Sequence, residues 1–309
     1  MNKYIDILPE IKAALDRNRA VVALESTIIS HGMPYPENLT CAKGCEAAIR
    51  ECGAIPATIA ILDGRIKIGL TSKQLERFAV SDDIIKCSRR DLPYIITTRQ
   101  NGAATVSATM IMSSLAGIRF FATGGVGGVH RGAEDSMDIS ADLFELSMTE
   151  VCVVSAGVKS ILDIGRTLEF LETRGVPVIA YGQDEFPAFY TRESGYAAPI
   201  RLDTPEDVAE MMSTKWELGL GGGAIVGNPI PEEHSMPKAE IDVAIEKALK
   251  KASKQGIDGK RVTPFLLDAI KDITEGRSLV ANMQLVQNNA RLAAEIAVAY
   301  CFKSLTKKW

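Results

Sequence analysis

The sequence predicts an α/β protein with a three-layer α/β/α core built on a mostly parallel mixed sheet. Three observations predict it. Short apolar runs of strand length alternate with longer segments of helical spacing through most of the chain, the pattern of a parallel sheet covered on both faces. No period of 20–50 residues signals a repeat architecture. No linker rich in Pro, Gly or Ser interrupts the chain, so a single unit over 1–309 is expected, with the loops at 181–199 and 219–237 as candidates for a small appended lobe.

Taken in order, 7–17 has the apolar spacing of a helix and 21–24 reads as a buried strand ending at Glu25. The loop 26–36 carries Gly32, Pro34 and Pro36, which argue against a regular element. Asn38 is placed to cap a helix running to about Cys52. A strand over 55–62 turns at Asp63-Gly64 into 65–68 as a hairpin. A short helix over 72–78 precedes a polar, basic connection at 86–91. Helices are expected over 92–99 and 105–116. A strand at 120–123, a small-residue loop and a second strand at 151–155 follow, then a helix over 161–173. The strand 177–181 leads to FPAFYTR at 186–192, whose pattern fits no single element. A helix over 205–218, a strand at 224–226 and helices over 238–254, 264–273 and 278–303 close the chain.

A chain of 309 residues buries roughly 75% of its unfolded surface, so its core needs no disulfide staple. The balance of 35 basic and 39 acidic residues, net −4, excludes a general nucleic-acid or membrane-surface binder. Aromatics at 6% offer no stacking platform for single strands. The six cysteines contain no C-x-x-C, and Cys41 and Cys45 sit at helical spacing, which suits reduced thiols in a cytoplasmic protein. The N-terminus shows no apolar secretory stretch. The uncharged run 101–118 has the length of a membrane span, but Thr105, Ser107, Thr109, Ser113 and Ser114 interrupt it, so a buried helix of small residues is expected.

The chemistry concentrates in 120–163. Its first loop holds five glycines, His130, Arg131 and four carboxylates up to Asp142; its second holds Lys159. In open α/β sheets ligands collect beyond the carboxyl ends of strands. The glycines at 124–128 fail the dinucleotide pattern because His130 stands where a third glycine belongs. They leave either close backbone approach to a small ligand, with N–H groups free for an anion, or a plain tight turn. Asp138 and Asp142, four apart with Asp135 upstream, are expected to share a helix face. They would serve either as ligands for a hard ion such as Mg²⁺ or Mn²⁺ or as acids that complement a helix dipole. Lys159 is a candidate nucleophile, or a turn cap or phosphate anchor. Glu25 is a candidate proton donor if burial raises its pKa, or a structural ion-pair partner. Lys86, Arg89 and Arg90 offer either a phosphate site or a solvated charge run. His31 and His234 carry no assigned role.

Several stretches then converge on one resemblance: ALESTIISHGMPYP at 23–36, SRRDLP at 88–93, NGAATVSATM at 101–110, ATGGVGGVHRGAE at 122–134, MDISADL at 137–143, AGVKSILD at 156–163 and TPFLL at 263–267. Over about residues 5–300 the chain resembles the pseudouridine-5′-phosphate glycosidase family, also described as indigoidine synthase A-like. The resemblance implies reversible cleavage of pseudouridine 5′-phosphate by water to uracil and ribose 5-phosphate, in pseudouridine catabolism. It implies Lys159 as the Schiff-base nucleophile, Glu25 as proton donor and Mn²⁺ at Asp138. It places Lys86, Val106 and Ser140, Ala141 and Asp142 against substrate, with Thr123, His130 and Asn282 lining the pocket. It also implies a homotrimer, a small-molecule substrate, and neither nucleic acid nor membrane as partner. A carbon leaving group explains the lysine. Glycosidases that expel oxygen manage with two carboxylates, whereas an imine supplies the electron sink that C–C cleavage needs. A different lysine-dependent aldolase, or a non-catalytic sugar-phosphate binder on the same scaffold, are the competing readings.

Overall fold

The computed structural model describes residues 2–257 and 259–306. Its strands are β1 (Ile5–Ile7), β2 (Val21–Leu24), β3 (Ile55–Leu62), β4 (Arg65–Ile68), β5 (Ile85–Cys87), β6 (Gly102–Ala104), β7 (Phe120–Ala122), β8 (Cys152–Ser155), β9 (Val178–Tyr181), β10 (Ile200–Leu202) and β11 (Ala224–Gly227). Its α-helices are α1 (Pro9–Asp16), α2 (Glu37–Glu51), α3 (Ser72–Val80), α4 (Leu92–Thr97), α5 (Val106–Ala116), α6 (Ala133–Ser136), α7 (Ala141–Met148), α8 (Ile164–Thr173), α9 (Pro205–Glu217), α10 (Lys238–Lys254), α11 (Val262–Ile273) and α12 (Arg277–Thr306).

The strands form one mixed sheet in the order β1-β4-β3-β2-β7-β8-β11-β9-β10, with β6 on β3 and β5 on β6. Only the β3–β4 and β3–β6 pairings are antiparallel. The hairpin turns where expected: Asp63 and Gly64 both take positive φ, 51° and 73°, the two-residue turn whose twist matches that of the flanking strands. Every residue of β2, β3, β7, β8 and β11 is buried. This is why these strands read as continuous apolar runs rather than alternating ones.

Helices cover both faces. The long α12 lies across β2, β7 and β8, flanked by α2 and α9, while α5, α7 and α8 pack together as a second group. The run 101–118 becomes the short strand β6 and the buried helix α5. Among the described residues no helix is long and apolar enough to cross a membrane. Cys41 and Cys45 pack inside α2, and all six cysteines are unbridged.

Four expectations are corrected. The loop 26–36 contains a one-turn π-helix, Ile28–Gly32, because its glycine and prolines lie at or after the turn's end. Asn38 does not cap α2; its amide reaches back to the carbonyls of Ile29 and Ala79, both at 2.8 Å, and so ties down that π turn. The stretches 181–199 and 219–237 form no separate lobe, since Phe186, Phe189, Tyr190, Val226 and Ile230 belong to the principal core. The three-residue strands β1, β5, β6 and β10 carried no recognisable alternation.

A buried amide pair locks α12 to the sheet. Asn289 Nδ2 donates to the Thr123 carbonyl at 2.8 Å, and its Oδ1 accepts from Asn228 at 3.1 Å. The Asn228 backbone N–H in turn donates to Ser155 at 2.8 Å. One side chain therefore joins α12 to the ends of β7, β8 and β11. Asn289→Ala strands a buried carbonyl and a buried amide together, so a loss of about 2–4 kcal/mol in urea unfolding is expected. A loss within about 0.5 kcal/mol would show that water replaces the amide.

Candidate active site

The site begins with register. In β2, β7 and β8, Leu24 pairs with Ala122 and Ala122 with Val154. The next residues, Glu25, Thr123 and Ser155, therefore emerge side by side. Thr123 Oγ1 donates a short hydrogen bond to Glu25 Oε1, and both residues are buried. Burial pushes the Glu25 carboxyl above its ordinary value, against the opposing pull of Lys159, the Thr123 hydrogen bond and Lys86; the Asp142 charge adds to the rise.

Beyond the strands the two loops stay zipped together. Ala156 N–H donates to Gly124, Val126 N–H to Gly157, Lys159 N–H to Val126 and Asp163 N–H to Val129, at 2.9–3.1 Å. The parallel pairing thus runs on past the strand ends as far as Val126 and Val158 and turns antiparallel at Val129 and Asp163, and Lys159 is fixed by its own backbone. The glycine loop is buried from Gly124 to Val129. Its expected free N–H donors are in part already used: Gly127 N–H donates to Asp142 Oδ2 at 2.9 Å and Val129 N–H to Thr167 at 2.9 Å. The glycines serve internal packing. A Cβ on Gly127 would collide with Ser140 Oγ, and one on Gly125 would stand 2.6 Å from the Phe189 ring.

Asp138 and Asp142 do not share a helix face. Helix α7 begins at Ala141, and Asp138 lies in the link after α6. Met137, just before Asp138, ends α6 with φ 55°, and Ser140, extended at ψ 138°, lets the next helix start only after Asp138. Asp142 is buried with Oδ1 on the Ser107 N–H and Oδ2 on the Gly127 N–H, both at 2.9 Å. Its N–H is capped by Ser140 at 3.2 Å. It therefore ties α7 to the glycine loop and to the first turn of α5, where Val106 is buried. Asp138, its side chain 44% exposed, stands 3.7 Å from His130 Nδ1. Burial holds the His130 imidazole below its ordinary pKa; Asp138 opposes that, and Lys86 and Lys159 add to it.

Among the described residues no three His, Cys, Asp or Glu side chains gather as a metal cage. With both Asp142 oxygens engaged, Asp138 is the carboxylate left for an ion. One carboxylate beside a partly buried histidine suits a hard, water-rich ion of the Mg²⁺ or Mn²⁺ kind and not a four-ligand zinc site.

A narrow cavity of about 40 Å³ brings together Glu25, Lys86, Thr123, Lys159 and Asn282. A second, of about 300 Å³, opens beside it and shares His31, Pro264, Leu267 and Asn282 as common wall. Val106, His130, Asp138, Ser140, Ala141 and Asp142 do not line either cavity; Asp142 is near enough to act on Glu25 by its charge, and Lys86 and Lys159 act in the same way on His130. Sequence reasoning missed several wall residues, His31 and Phe189 among them. His31 sits in the π turn just after Glu25. Phe189, from the ambiguous stretch, lines the narrow cavity with φ 66°, a left-handed backbone rare for a bulky residue and typical of ligand-facing turns.

Fold and site together define an α/β protein that gathers a buried carboxyl and a lysine beyond the carboxyl ends of parallel strands, with a second lysine from β5 in the same cavity. The sequence model of the family described as indigoidine synthase A like protein matches residues 10–299. A protein of Caldanaerobacter subterraneus subsp. tengcongensis named pseudouridine-5′-phosphate glycosidase is 58% identical over 298 residues, 96% of this chain and 97% of that protein. One of the same name from Geobacillus kaustophilus is 56% identical, covering 96% of this chain and 99% of its own. The solved structure of a prealnumycin C-glycosynthase in complex with ribulose 5-phosphate superposes with a TM-score of 0.92 at 37% identity, covering 99% of this chain and 100% of that one. An indigoidine synthase A-like protein of Thermotoga maritima superposes with a TM-score of 0.87 at 37% identity over 95% of each chain. The chain belongs to the indigoidine synthase A-like family.

The raised Glu25 pKa carries a stability signature. Between the ordinary glutamate value of 4.5 and the higher folded value, the native state holds a proton that the unfolded state has lost. Stability therefore falls as pH rises through that window. Glu25→Gln removes the effect, so its stability relative to the parent should improve from pH 5 to pH 8 in urea titrations. An offset independent of pH would mean that the carboxyl is not desolvated.

Proposed function

We propose that this protein is a pseudouridine-5′-phosphate glycosidase, cleaving the C–C bond between uracil C5 and ribose C1′ reversibly to uracil and ribose 5-phosphate. The observation that carries the reading is the meeting of Glu25, Lys86 and Lys159 in one cavity. The names of the relatives supply the substrate, and a sugar phosphate in the C-glycosynthase neighbour is consistent with it.

In this reading the Lys159 amine bonds C1′ while the ring oxygen leaves with a proton from Glu25. A carboxyl kept protonated by burial suits that task. The nitrogen now bonded to C1′ returns its extra proton to the Glu25 carboxylate, which delivers it to uracil C5; the nitrogen lone pair then expels neutral uracil and leaves a protonated imine at C1′. Water releases ribose 5-phosphate and restores the amine. Lys86 is assigned to the phosphate as a point charge. Thr123 holds Glu25 in place, and Asn282 contributes to the wall. His130, Val106 and the 140–142 segment are assigned to the substrate side of the rim. Asp138 is the residue that would hold Mn²⁺, which when bound supplies charge and orientation for substrate oxygens. A homotrimer remains the expected assembly.

Borohydride added with ribose 5-phosphate is expected to fix a stable adduct on Lys159, read by mass spectrometry. Lys159→Ala should abolish uracil release while retaining nucleotide binding. An unmodified Lys159 under conditions of turnover would sink the covalent role. No uracil from pseudouridine 5′-phosphate would instead favour another lysine-dependent aldolase.

Asp138→Ala is expected to lower uracil release by roughly 10–100-fold, with partial recovery in excess Mn²⁺. Full activity of the parent after chelation, with Mn²⁺ making no difference, would refute the metal role.

A further inference from the structure

His31 is used by none of these steps, yet it stands in the wall common to both cavities. The π turn that carries it is fixed by Asn38, and single π turns recur at functional sites. Its imidazole is hydrogen-bonded to the Ile84 backbone, while Nε2 is buried without a partner. The bond to Ile84 is therefore donated by Nδ1–H, and the neutral ring presents a lone pair at Nε2. Burial and the nearby Lys86 cation both disfavour a second proton on the ring, which keeps Nε2 an acceptor.

The surroundings select what this acceptor takes. Ile28, Phe189, Pro264 and Leu267 make its stretch of wall apolar. Asn282 lines both cavities as well, and its Oδ1 is likewise buried and unpartnered. Two acceptors in an apolar wall fit a flat ligand that brings donors. A phosphate dianion brings none, and a sugar needs polar neighbours on many sides. Uracil joined through C5 keeps both N1–H and N3–H, flanking C2=O on the edge away from the sugar. Uracil joined through N1 keeps only N3–H.

We propose that His31 is a specificity-determining residue for the base: its Nε2 accepts a ring N–H of uracil and holds the leaving base against the apolar wall. This deepens the glycosidase reading and rests on it. In that arrangement the sugar phosphate faces the amines and Glu25, and His31 reads the free N–H edge that distinguishes a C-linked base.

The test runs in the synthesis direction, from uracil and ribose 5-phosphate with Mn²⁺ present. His31→Phe keeps a flat ring and removes the acceptor; His31→Gln returns an amide oxygen at similar reach. The KM for uracil is expected to rise about ten-fold in His31→Phe and to recover largely in His31→Gln. The KM for ribose 5-phosphate and the borohydride-fixed Lys159 adduct should stay unchanged. The parent enzyme should also use 1-methyluracil or 3-methyluracil at least about ten-fold less well than uracil, a discrimination that shrinks in His31→Phe. A uracil KM that does not move, or a ribose 5-phosphate KM that rises equally, overturns the assignment. Should the variants fail to fold, equal use of uracil and both methyl derivatives by the parent overturns it. A parent that forms the adduct and makes product while His31→Phe matches it sinks only the role of His31. A parent that forms neither adduct nor product sinks the glycosidase reading, and the role of His31 with it.

Discussion

The structure depends on the shared register of β2, β7 and β8. Because these strands are parallel and paired residue for residue, their carboxyl ends finish level, and Glu25 leaves the sheet beside Thr123. A slip of one residue would turn every side chain to the opposite face and carry Glu25 away from the cavity. The same ladder continues through the loops as far as Lys159. Backbone hydrogen bonds therefore set the separation of carboxyl and amine, although the two residues lie 134 positions apart in sequence. Sites supported in this way hold their geometry better than sites hung on free loops.

That ladder also decides the electrostatics. Ending buried strands on an acid desolvates it, and desolvation outweighs two nearby amines at Glu25. The second carboxylate, Asp142, is stabilised differently: two backbone N–H groups hold it as an acceptor. Two carboxyl groups within reach of each other thus receive different environments. Burial pushes one toward its protonated form, while the other accepts from two backbone N–H groups. The cost is borne by the glycine loop, whose backbone must approach Asp142 and Ser140 so closely that no Cβ fits at Gly127.

Much of this was legible in the sequence, for physical reasons. Long apolar runs announced β2, β3 and β8 because both faces of those strands are covered. Glu25 and Lys159 were marked by position, at or just beyond the ends of such runs, and Thr123 by the family resemblance. The shared face of Asp138 and Asp142 failed because four-residue spacing means a face only inside a continuous helix, and the extended Ser140 that caps α7 leaves Asp138 outside it. Phe189 was hidden because its segment is buried yet irregular: Phe186, Phe189 and Tyr190 pack as core without forming a strand or helix. His31 was hidden because a lone histidine has no spacing partner. Its meaning comes from Ile84 and Asn282, far away in sequence.

The finished site divides labour between a floor and a wall. The floor is the sheet end, rigid through the β7–β8 ladder and through Asn289, which clasps Thr123 and Gly124 from α12. It carries Glu25, Thr123 and Lys159. The wall comes from the π turn and from α11, which packs against it, and supplies Thr263, Pro264 and Leu267 with Phe189 opposite. Apolar surface punctuated by a few acceptors gives little attraction of its own to a charged ligand, but it penalises any base whose donors are missing or misplaced. A scaffold built in this way can keep one chemistry on its floor while the wall determines which carbon nucleophile or leaving group is admitted. This suits a fold shared with a C-glycosynthase at a TM-score of 0.92.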